Sequence, residues 1–304
     1  MPKALFNSRL IGLPCLDSEE LADARKKELL IPRRDARQLG VTAVKAVNAG
    51  FYVLPDGSEV MWKDFVDNAR KEKVSIKPND PLPDYFPDQS TKTLVQVTNQ
   101  TTMQAALQMV QKGEKPLALN FANGYSVGGG FLGGSRAQEE CLCRSSALYV
   151  TLKGDDMYKH HQRQPGPKVS SSWAILSPNV PVFRTDAGKE LSEPWLLSIV
   201  TCAAPQAHKA KNAKEAEKLL KQRIRRVLEI AAAYGYTSLV LGAWGCGAFG
   251  CDPVRTARDF RESLENEFAG VFTNIVFAIT DWSEERMFLG PFRDAFAPET
   301  KEQS

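Results

Sequence analysis

Two adjacent carboxylates follow a glycine-rich stretch in the middle of the chain. The segment "GGGFLGGSRAQEE" places five glycines shortly before Gln138, Glu139 and Glu140. A glycine loop between a strand and a helix lets backbone N–H groups approach an anion, most often phosphate. A carboxyl group beside it could protonate the leaving oxygen of a glycosidic bond and then deprotonate the attacking water. The alternative is that both acids merely favour a helix N-terminus through the helix dipole.

The two glutamates are expected to differ in role. Adjacent residues on a helix point roughly 100° apart, so Glu139 and Glu140 cannot address one atom in the same way. One of them can hold the substrate while the other handles the proton. Cleavage also needs a counter-charge for an oxocarbenium-like transition state, and a substrate diphosphate nearby would supply it.

A second glycine-rich loop, "GAWGCGAFGCDP" (242–253), follows the predicted strand in "SLVLGAWG". Neither loop has the G-x-x-x-x-G-K-[ST] pattern of nucleoside triphosphatases. Neither is a clean G-x-G-x-x-G with an acidic residue about 20 positions further on. The glycines of one loop alone could simply make tight turns. Two such loops at strand ends in one sheet favour a ligand with phosphates.

Strands and helices alternate after residue 92. Strands are predicted in "TLVQVTNQ", "PLALNFAN", "WAILSPNVPVF", "WLLSIVTCAAP", "SLVLGAWG" and "NIVFAIT". Helices are predicted in "TTMQAALQMVQKG", from about 137 to 148, in "AKEAEKLLKQRIRRVLEIAAAYG" and in "DPVRTARDFRESLENEFAG". This alternation predicts an α/β fold, a three-layer α/β/α sandwich around a mixed, largely parallel sheet. Ligands of such sheets bind at the carboxyl ends of the strands, where both glycine loops are expected.

The first 92 residues show a different pattern. Residues 17–39 are predicted as a helix, Pro55-Asp56-Gly57 as the turn of a short hairpin, and residues near 62–72 as helix. The four prolines of "KPNDPLPDYFPDQS" exclude a helix or a central strand. The chain is therefore predicted to have a mostly helical N-terminal extension, 1–92, with a Pro-rich linker at 78–90, and a catalytic domain, 93–304.

Size and composition are those of an ordinary globular protein. The 304 residues carry a formal net charge of +3, with 43% hydrophobic and 25% charged residues. That charge is too small to indicate a nucleic-acid or membrane partner, and no apolar run is long enough to span a bilayer. We therefore expect no sequence-specific nucleic-acid binding, no membrane attachment and, by default, a monomer.

The six cysteines form no evident disulfide framework, and Cys141-x-Cys143 lacks the CxxC spacing of zinc sites. A reducing intracellular compartment is favoured, with an organelle transit peptide in "MPKALFNSRLIGLPC" as the alternative. The histidines show no ligand spacing and are expected at surface or loop positions: His160, His161 and His208. No metal and no cofactor are therefore predicted. The "RIRRV" run (223–227) is expected on the polar side of its helix.

Several motifs together resemble a known family. "GGGFLGGSRAQEE" resembles the signature of the poly(ADP-ribose) glycohydrolases: three glycines, a spacer of six to eight residues, then Gln-Glu-Glu. The spacer here, 131–137, fits that pattern. "LNFANGYSVGGG", "RAQEECLCRSSALY" and "LGAWGCGAFGCDP" are similar to the compact microbial and fungal-type branch, whose fold is a macrodomain. The resemblance extends over roughly residues 93–290.

The resemblance implies an enzyme that hydrolyses the ribose–ribose O-glycosidic bonds of poly(ADP-ribose), mainly as an exo-hydrolase, and releases ADP-ribose without a cofactor. It implies poly(ADP-ribosyl)ated proteins as substrates, and reversal of ADP-ribosylation in the nucleus and/or cytoplasm during the DNA damage response. Two alternatives stay open: a macrodomain reader that binds ADP-ribose, and a hydrolase of a mono-ADP-ribosyl–protein linkage. The intact Gln138-Glu139-Glu140 favours an enzyme over a reader, because binding alone needs no second carboxylate.

Site residues are carried over from the family position by position. The resemblance implies that Glu140 is the catalytic acid and base, that Glu139 binds the ribose hydroxyls, and that Gln138 supports the site. Asn120 or Asn123 contacts the distal ribose, and Asn123 lies nearer the strand end. The first loop approaches the distal ribose and diphosphate closely through Gly128, Gly129 and Gly130. The second loop binds the diphosphate, with its aromatic residue on the terminal ribose, through Gly245, Cys246, Gly247, Ala248 and Phe249.

Overall fold

A central sheet of eight strands organises the fold. The computed structural model describes residues 9–85, 92–165 and 169–298. The strands are β1 (Leu10–Gly12), β2 (Phe51–Val53), β3 (Glu59–Met61), β4 (Val74–Ile76), β5 (Thr93–Thr98), β6 (Leu117–Phe121), β7 (Ala174–Arg184), β8 (Glu190–Cys202), β9 (Ser238–Leu241) and β10 (Asn274–Ala278). The sheet has the order β1-β5-β10-β9-β6-β8-β7-β4, and β2 and β3 form a separate hairpin.

Most neighbouring strands of the sheet are parallel. The run from β1 through β5, β10, β9 and β6 to β8 is parallel throughout. The pairs β8–β7 and β7–β4 at one edge are antiparallel. The predicted mixed, largely parallel sheet is therefore confirmed.

Helices cover the sheet on both faces. They are α1 (Glu19–Leu29), α2 (Arg33–Ala49), α3 (Lys63–Glu72), α4 (Thr102–Gln111), α5 (Gln138–Ser145), α6 (Leu148–Leu152), α7 (Asp156–Arg163), α8 (Ala213–Ala233), α9 (Pro253–Glu265) and α10 (Leu289–Ala295). None of these helices is both long and apolar enough to cross a membrane.

Alternate residues of the central strands belong to two different cores. Leu239 and Leu241 of β9 pack in the core that also holds the apolar faces of α8, α9 and α10. Val240, between them, packs in the core formed with α2, α3, α4 and α5. Successive strand side chains point to opposite faces, so this division places one helical layer on each side of the sheet. The predicted three-layer arrangement is confirmed.

Two strands of the main sheet come from the first 92 residues, where we predicted helices and a hairpin only. β1 pairs with β5, and β4 pairs with β7. Both have three residues, too few for an alternating pattern to be visible. Residue 92 stays a prediction as a domain boundary, but the sheet itself takes strands from both sides of it. Residues 86–90 of the predicted linker lie outside the described part of the chain.

Two predicted helices are interrupted. The helix expected over 17–39 is split into α1 and α2, since Pro32 lies just before α2 and cannot continue a helix from α1. The helix expected from 137 to 148 ends at Ser145. Ser146 has extended backbone angles (φ −143°, ψ 176°) and forms a β-bridge with Val182.

Candidate active site

The two glycine loops leave the sheet at the same edge. β6 leads through residues 122–137 into α5, and β9 leads through residues 242–252 into α9. β6 and β9 are parallel neighbours, with Leu117 paired to Leu239. The carboxyl ends of parallel strands lie at one edge of a sheet, so the two loops form adjoining walls of one site.

Glu140 is held by one oxygen only. Its Oε1 accepts a hydrogen bond of 2.9 Å from the backbone N–H of Gly130. Its Oε2 is buried and has no hydrogen-bond partner among the described residues. The loop therefore fixes the carboxyl group in place and leaves one oxygen for a proton transfer.

Glu139 is held at both oxygens. Its Oε2 accepts a 2.8 Å hydrogen bond from Asn123 N–H, and its Oε1 accepts a longer one, 3.4 Å, from Asn120 Nδ2. Asn120 is fully buried and also donates to Thr201 Oγ1. Asn120 thus lies behind Glu139, and this position favours Asn123 as the residue that meets the ribose, which stays a prediction.

Gln138 connects the start of α5 to its neighbours. Its Oε1 accepts from Phe121 N–H at 2.9 Å, and its Nε2 donates to Leu119 O and Thr102 Oγ1 at 2.7 and 3.0 Å. The side-chain amide is thereby bound to β6 and to α4. These bonds set the direction in which Glu139 and Glu140 leave the helix.

Gly129 lies directly over both carboxylates. Its φ of +58° is in the left-handed region that favours glycine. A Cβ at this position would overlap Glu140 Oε1 and would lie 2.9 Å from Glu139 Oε2. The loop can cross the two glutamates this closely only because residue 129 has no side chain.

The second loop presents unpaired backbone donors. Within the described part of the chain, the N–H groups of Gly247, Ala248 and Phe249 donate to no acceptor. Successive free N–H groups in a tight loop form a concave anion site. The Cys246 side chain points inward, with Sγ 3.5 Å from Thr256 Oγ1, so its thiol is not part of this surface. The predicted diphosphate role of the loop fits this geometry and stays a prediction.

Gly245 lets the second loop pack tightly on its neighbours. Its φ is +82°, and a Cβ there would lie 2.9 Å from both Ala204 Cβ and Cys251 Sγ. The loop is thus held against the chain that leaves β8.

A cavity of about 490 Å³ lies beside the start of α5, and Gln138 and Gly247 form part of its wall. The sequence did not indicate its apolar lining, which includes Leu29, Leu30, Trp282 and Phe288. Trp282 and Phe288 follow the carboxyl end of β10, so their place at the ligand edge could have been inferred from the parallel sheet. Leu29 and Leu30 come from the end of α1, and no local pattern places them here.

Two side chains assigned to the surface are buried near the site. His161 lies in α7 and is 1% exposed, and Arg223 lies in α8 and is 2% exposed. The helical spacing of each residue from buried apolar neighbours could have predicted its burial. Arg223 falls on the apolar stripe of its helix with Leu220 and Val227, and His161 follows the buried Met157 by one helical turn.

Burial raises the pKa of Glu139 to about 8. The neighbouring Glu140 carboxylate acts in the same direction, while the N–H of Asn123 acts against it. Two carboxyl groups this close do not both ionise readily, because like charges in a buried site repel. Glu139 therefore retains its proton at neutral pH.

We expect Glu139→Gln to stabilise the fold at alkaline pH. The carboxyl of the unfolded chain ionises above its ordinary pKa of 4.5 and the folded one above a pKa of about 8, so the wild type loses stability as pH rises between these values. Glutamine does not ionise, so its advantage in free energy of unfolding should grow by about 3 kcal/mol from about pH 5.5 to about pH 8.5. Urea denaturation at both pH values measures it, with the exposed Glu59→Gln as control. A pH-independent difference would contradict the prediction.

Comparison with known proteins identifies the family. The family model "Microbial-type PARG, catalytic domain" matches residues 41–185. The chain is similar to poly(ADP-ribose) glycohydrolase from Thermomonospora curvata, with 35% sequence identity and a TM-score of 0.79. The match covers 86% of this chain and 99% of that one. The Thermomonospora enzyme has also been solved with the inhibitor ADP-HPD. The Deinococcus radiodurans enzyme in complex with ADP-ribose shows 36% identity and a TM-score of 0.69, over 76% and 97% of the two chains. No curated protein sequence matches. With 35% identity over nearly all of a solved relative, the chain belongs to the microbial-type poly(ADP-ribose) glycohydrolase family.

Proposed function

We propose that this chain hydrolyses the ribose–ribose O-glycosidic bonds of poly(ADP-ribose) and releases ADP-ribose. The observation that carries the proposal is the state of Glu140, whose Oε1 is fixed by Gly130 N–H while its Oε2 is free. A reader of ADP-ribose needs no such group. Solved relatives bound to ADP-ribose and to ADP-HPD support an ADP-ribose unit as the ligand.

Bond cleavage begins with a proton transfer from Glu140 Oε2 to the oxygen that joins the two riboses. The C–O bond breaks, the remaining polymer leaves with a hydroxyl group, and positive charge develops on the distal ribose. The diphosphate of the same ADP-ribose unit, bound by the N–H groups of residues 247–249, lies nearby as counter-charge. Glu139, fixed by Asn123, holds the ribose hydroxyls so that the scissile bond faces Glu140.

Hydrolysis is completed by water. The Glu140 carboxylate removes a proton from the water as its oxygen bonds to the anomeric carbon. ADP-ribose is released, and Glu140 is protonated again for the next cycle. One residue thus serves both steps, which is why a single carboxyl group with one free oxygen is sufficient.

The apolar cavity beside Gln138 fits the adenosine part of the unit. Leu29, Leu30, Trp282 and Phe288 offer flat and aliphatic surface to a base. The end of α1 and the segment after β10 wall this cavity, which supports action mainly at polymer ends.

We further propose that the enzyme works as a monomer on poly(ADP-ribosyl)ated proteins inside the cell, in the nucleus and/or cytoplasm. There it would reverse ADP-ribosylation made in the DNA damage response, without sequence-specific contact to nucleic acid. All six cysteines are free, which supports a reducing compartment. The small net charge supports the absence of a nucleic-acid partner.

The function is tested with two labelled substrates, poly(ADP-ribose) and mono-ADP-ribosylated protein. We expect wild type to release ADP-ribose from the polymer and to leave the mono-modified protein largely intact. Binding of the polymer without release would instead make the chain a reader. Release from the mono-modified protein alone would make it a hydrolase of that linkage.

A further inference from the structure

We propose that His161 is a positioning residue for the reaction: through the carbonyl of Gly124 it fixes the loop that holds Glu139. The inference rests on the proposed function for its kinetic part. His161 lies on α7, outside both glycine loops and the catalytic helix α5. Its two ring nitrogens contact Gly124 O at 2.8 Å and Ser171 Oγ at 2.7 Å.

Internal hydrogen bonds close the loop segment that His161 contacts into a turn. Asn123 Oδ1 accepts hydrogen bonds from Tyr125 N–H at 2.9 Å and from Ser126 N–H at 3.1 Å, which close residues 123–126 into an Asx turn. The N–H of Asn123 donates to Glu139 Oε2. Whatever fixes Gly124 in the middle of this turn therefore also fixes the donor to Glu139.

Gly124 is closely packed on several sides. A Cβ at this position would lie 2.9 Å from Ser170 Cβ, 3.1 Å from Ala203 Cβ and 3.2 Å from His161 Nδ1. Three separate parts of the chain thus close around one glycine. Gln162, next to His161, adds a hydrogen bond from Nε2 to Tyr125 O at 2.7 Å. Two side chains of α7 therefore form hydrogen bonds with successive carbonyl groups of the loop, those of Gly124 and Tyr125.

A buried cation, Arg223, binds the segments that pack against Gly124. Arg223 donates to Val169 O, Ser170 Oγ and Ala203 O at 2.7, 3.0 and 2.8 Å. Arg223 forms no ion pair with any carboxylate of the described residues, so its guanidinium serves these uncharged acceptors. It holds segment 169–171 against the chain leaving β8. Ser170 N–H in turn donates to the hydroxyl of Tyr125 at 2.8 Å.

The chemistry of the contacts assigns the proton of His161. Gly124 O can only accept, so Nδ1 carries the hydrogen. Nε2 then accepts from the Ser171 hydroxyl, whose oxygen accepts from Trp173 N–H at 3.2 Å. Burial lowers the pKa of His161, which keeps this neutral tautomer in place. The imidazole thus bridges the catalytic loop and segment 169–171.

Two substitutions separate the two halves of this bridge. The amide nitrogen of asparagine lies where Nδ1 lies, so His161→Asn can still donate to Gly124 O. The amide of glutamine reaches the place of Nε2, so His161→Gln keeps the Ser171 side and loses Gly124. Both are polar amides that introduce similar disturbance, and His160→Gln, at the exposed neighbour, is the control.

We measure the rate of ADP-ribose release from poly(ADP-ribose) and calculate kcat from the concentration of sites that bind ADP-ribose. Calorimetric titration gives that concentration for each variant. We expect His161→Gln to lower this kcat about 30-fold with ADP-ribose affinity within about fivefold, because small displacements of a catalytic group are costly. His161→Asn should restore it to within about threefold of wild type. Equal kcat values for the two variants, or a glutamine variant within about threefold of wild type, would overturn the proposal.

Hydrogen exchange provides a second readout that needs no catalysis. A peptide covering residues 122–127 should exchange faster in His161→Gln than in wild type, and at the wild-type rate in His161→Asn. Unchanged exchange in both variants would also overturn the positioning role. If the wild type failed to cleave polymer, only the proposed function would fail, because this exchange experiment would still test the link from His161 to the loop.

Discussion

Glu140→Gln is expected to lower kcat on poly(ADP-ribose) by about 10⁴-fold or more, at the upper end of what one acid–base group supplies. The amide has no acidic proton to give to the leaving ribose oxygen and no basic oxygen to remove a proton from water. Both steps of the reaction are therefore lost together. The amide oxygen can still accept from Gly130 N–H, so the loop should keep its position.

Affinity separates this prediction from a general loss of structure. Because the variant preserves the loop and carries no new bulk, ADP-ribose should bind within about threefold of the wild-type Kd. Released ADP-ribose and calorimetric binding are measured on the same preparations, with Glu59→Gln as the control for the assay. If the wild type cleaves the polymer and the variant keeps its rate within about tenfold of it, another group transfers the proton.

The candidate catalytic segment could be predicted from the sequence because its residues lie close together along the chain. Gly129, Glu139 and Glu140 lie within twelve positions of one another, and the alternation of strands and helices places their loop beside the second one. The bonds that orient the pair are less local. Asn123 N–H reaches Glu139 across a loop whose shape no pattern encodes. The individual roles of the substrate-binding residues stay predictions.

Other parts of the site depend on contacts between distant parts of the chain. Leu29 and Leu30 join the cavity from the first helix, about a hundred residues before Glu139 and Glu140. β1 and β4 are too short for their pattern to be visible, and pairing with β5 and β7 decides their structure. Arg223 was misplaced for a different reason. We predicted a solvent-exposed position because the side chain is charged. Backbone carbonyl groups can nevertheless accept the hydrogen bonds of a buried guanidinium when helical spacing places it on the inner face of the helix.

Gly129→Ala is expected to abolish most activity although it adds a single methyl group. The residue has φ +58°, where a side chain costs about 1–2 kcal/mol, and the new methyl would collide with Glu140 Oε1. Either the loop or the carboxylates must move. Displacing both carboxylates and the Gly130 N–H that holds Glu140 should lower kcat about 10³-fold.

A matched glycine in the same loop distinguishes this effect from a loss of loop flexibility. A methyl group on Gly133 would meet no atom within 4 Å, and the φ of this residue is not positive, so Gly133→Ala should keep kcat within about twofold of wild type. Thermal denaturation and kcat are compared for both variants. Equal activity losses would show that the loop must be mobile, whereas a loss confined to Gly129→Ala shows that it must pass close to the carboxylates. We expect the second result, because Glu140 depends on contact with the neighbouring backbone for its position.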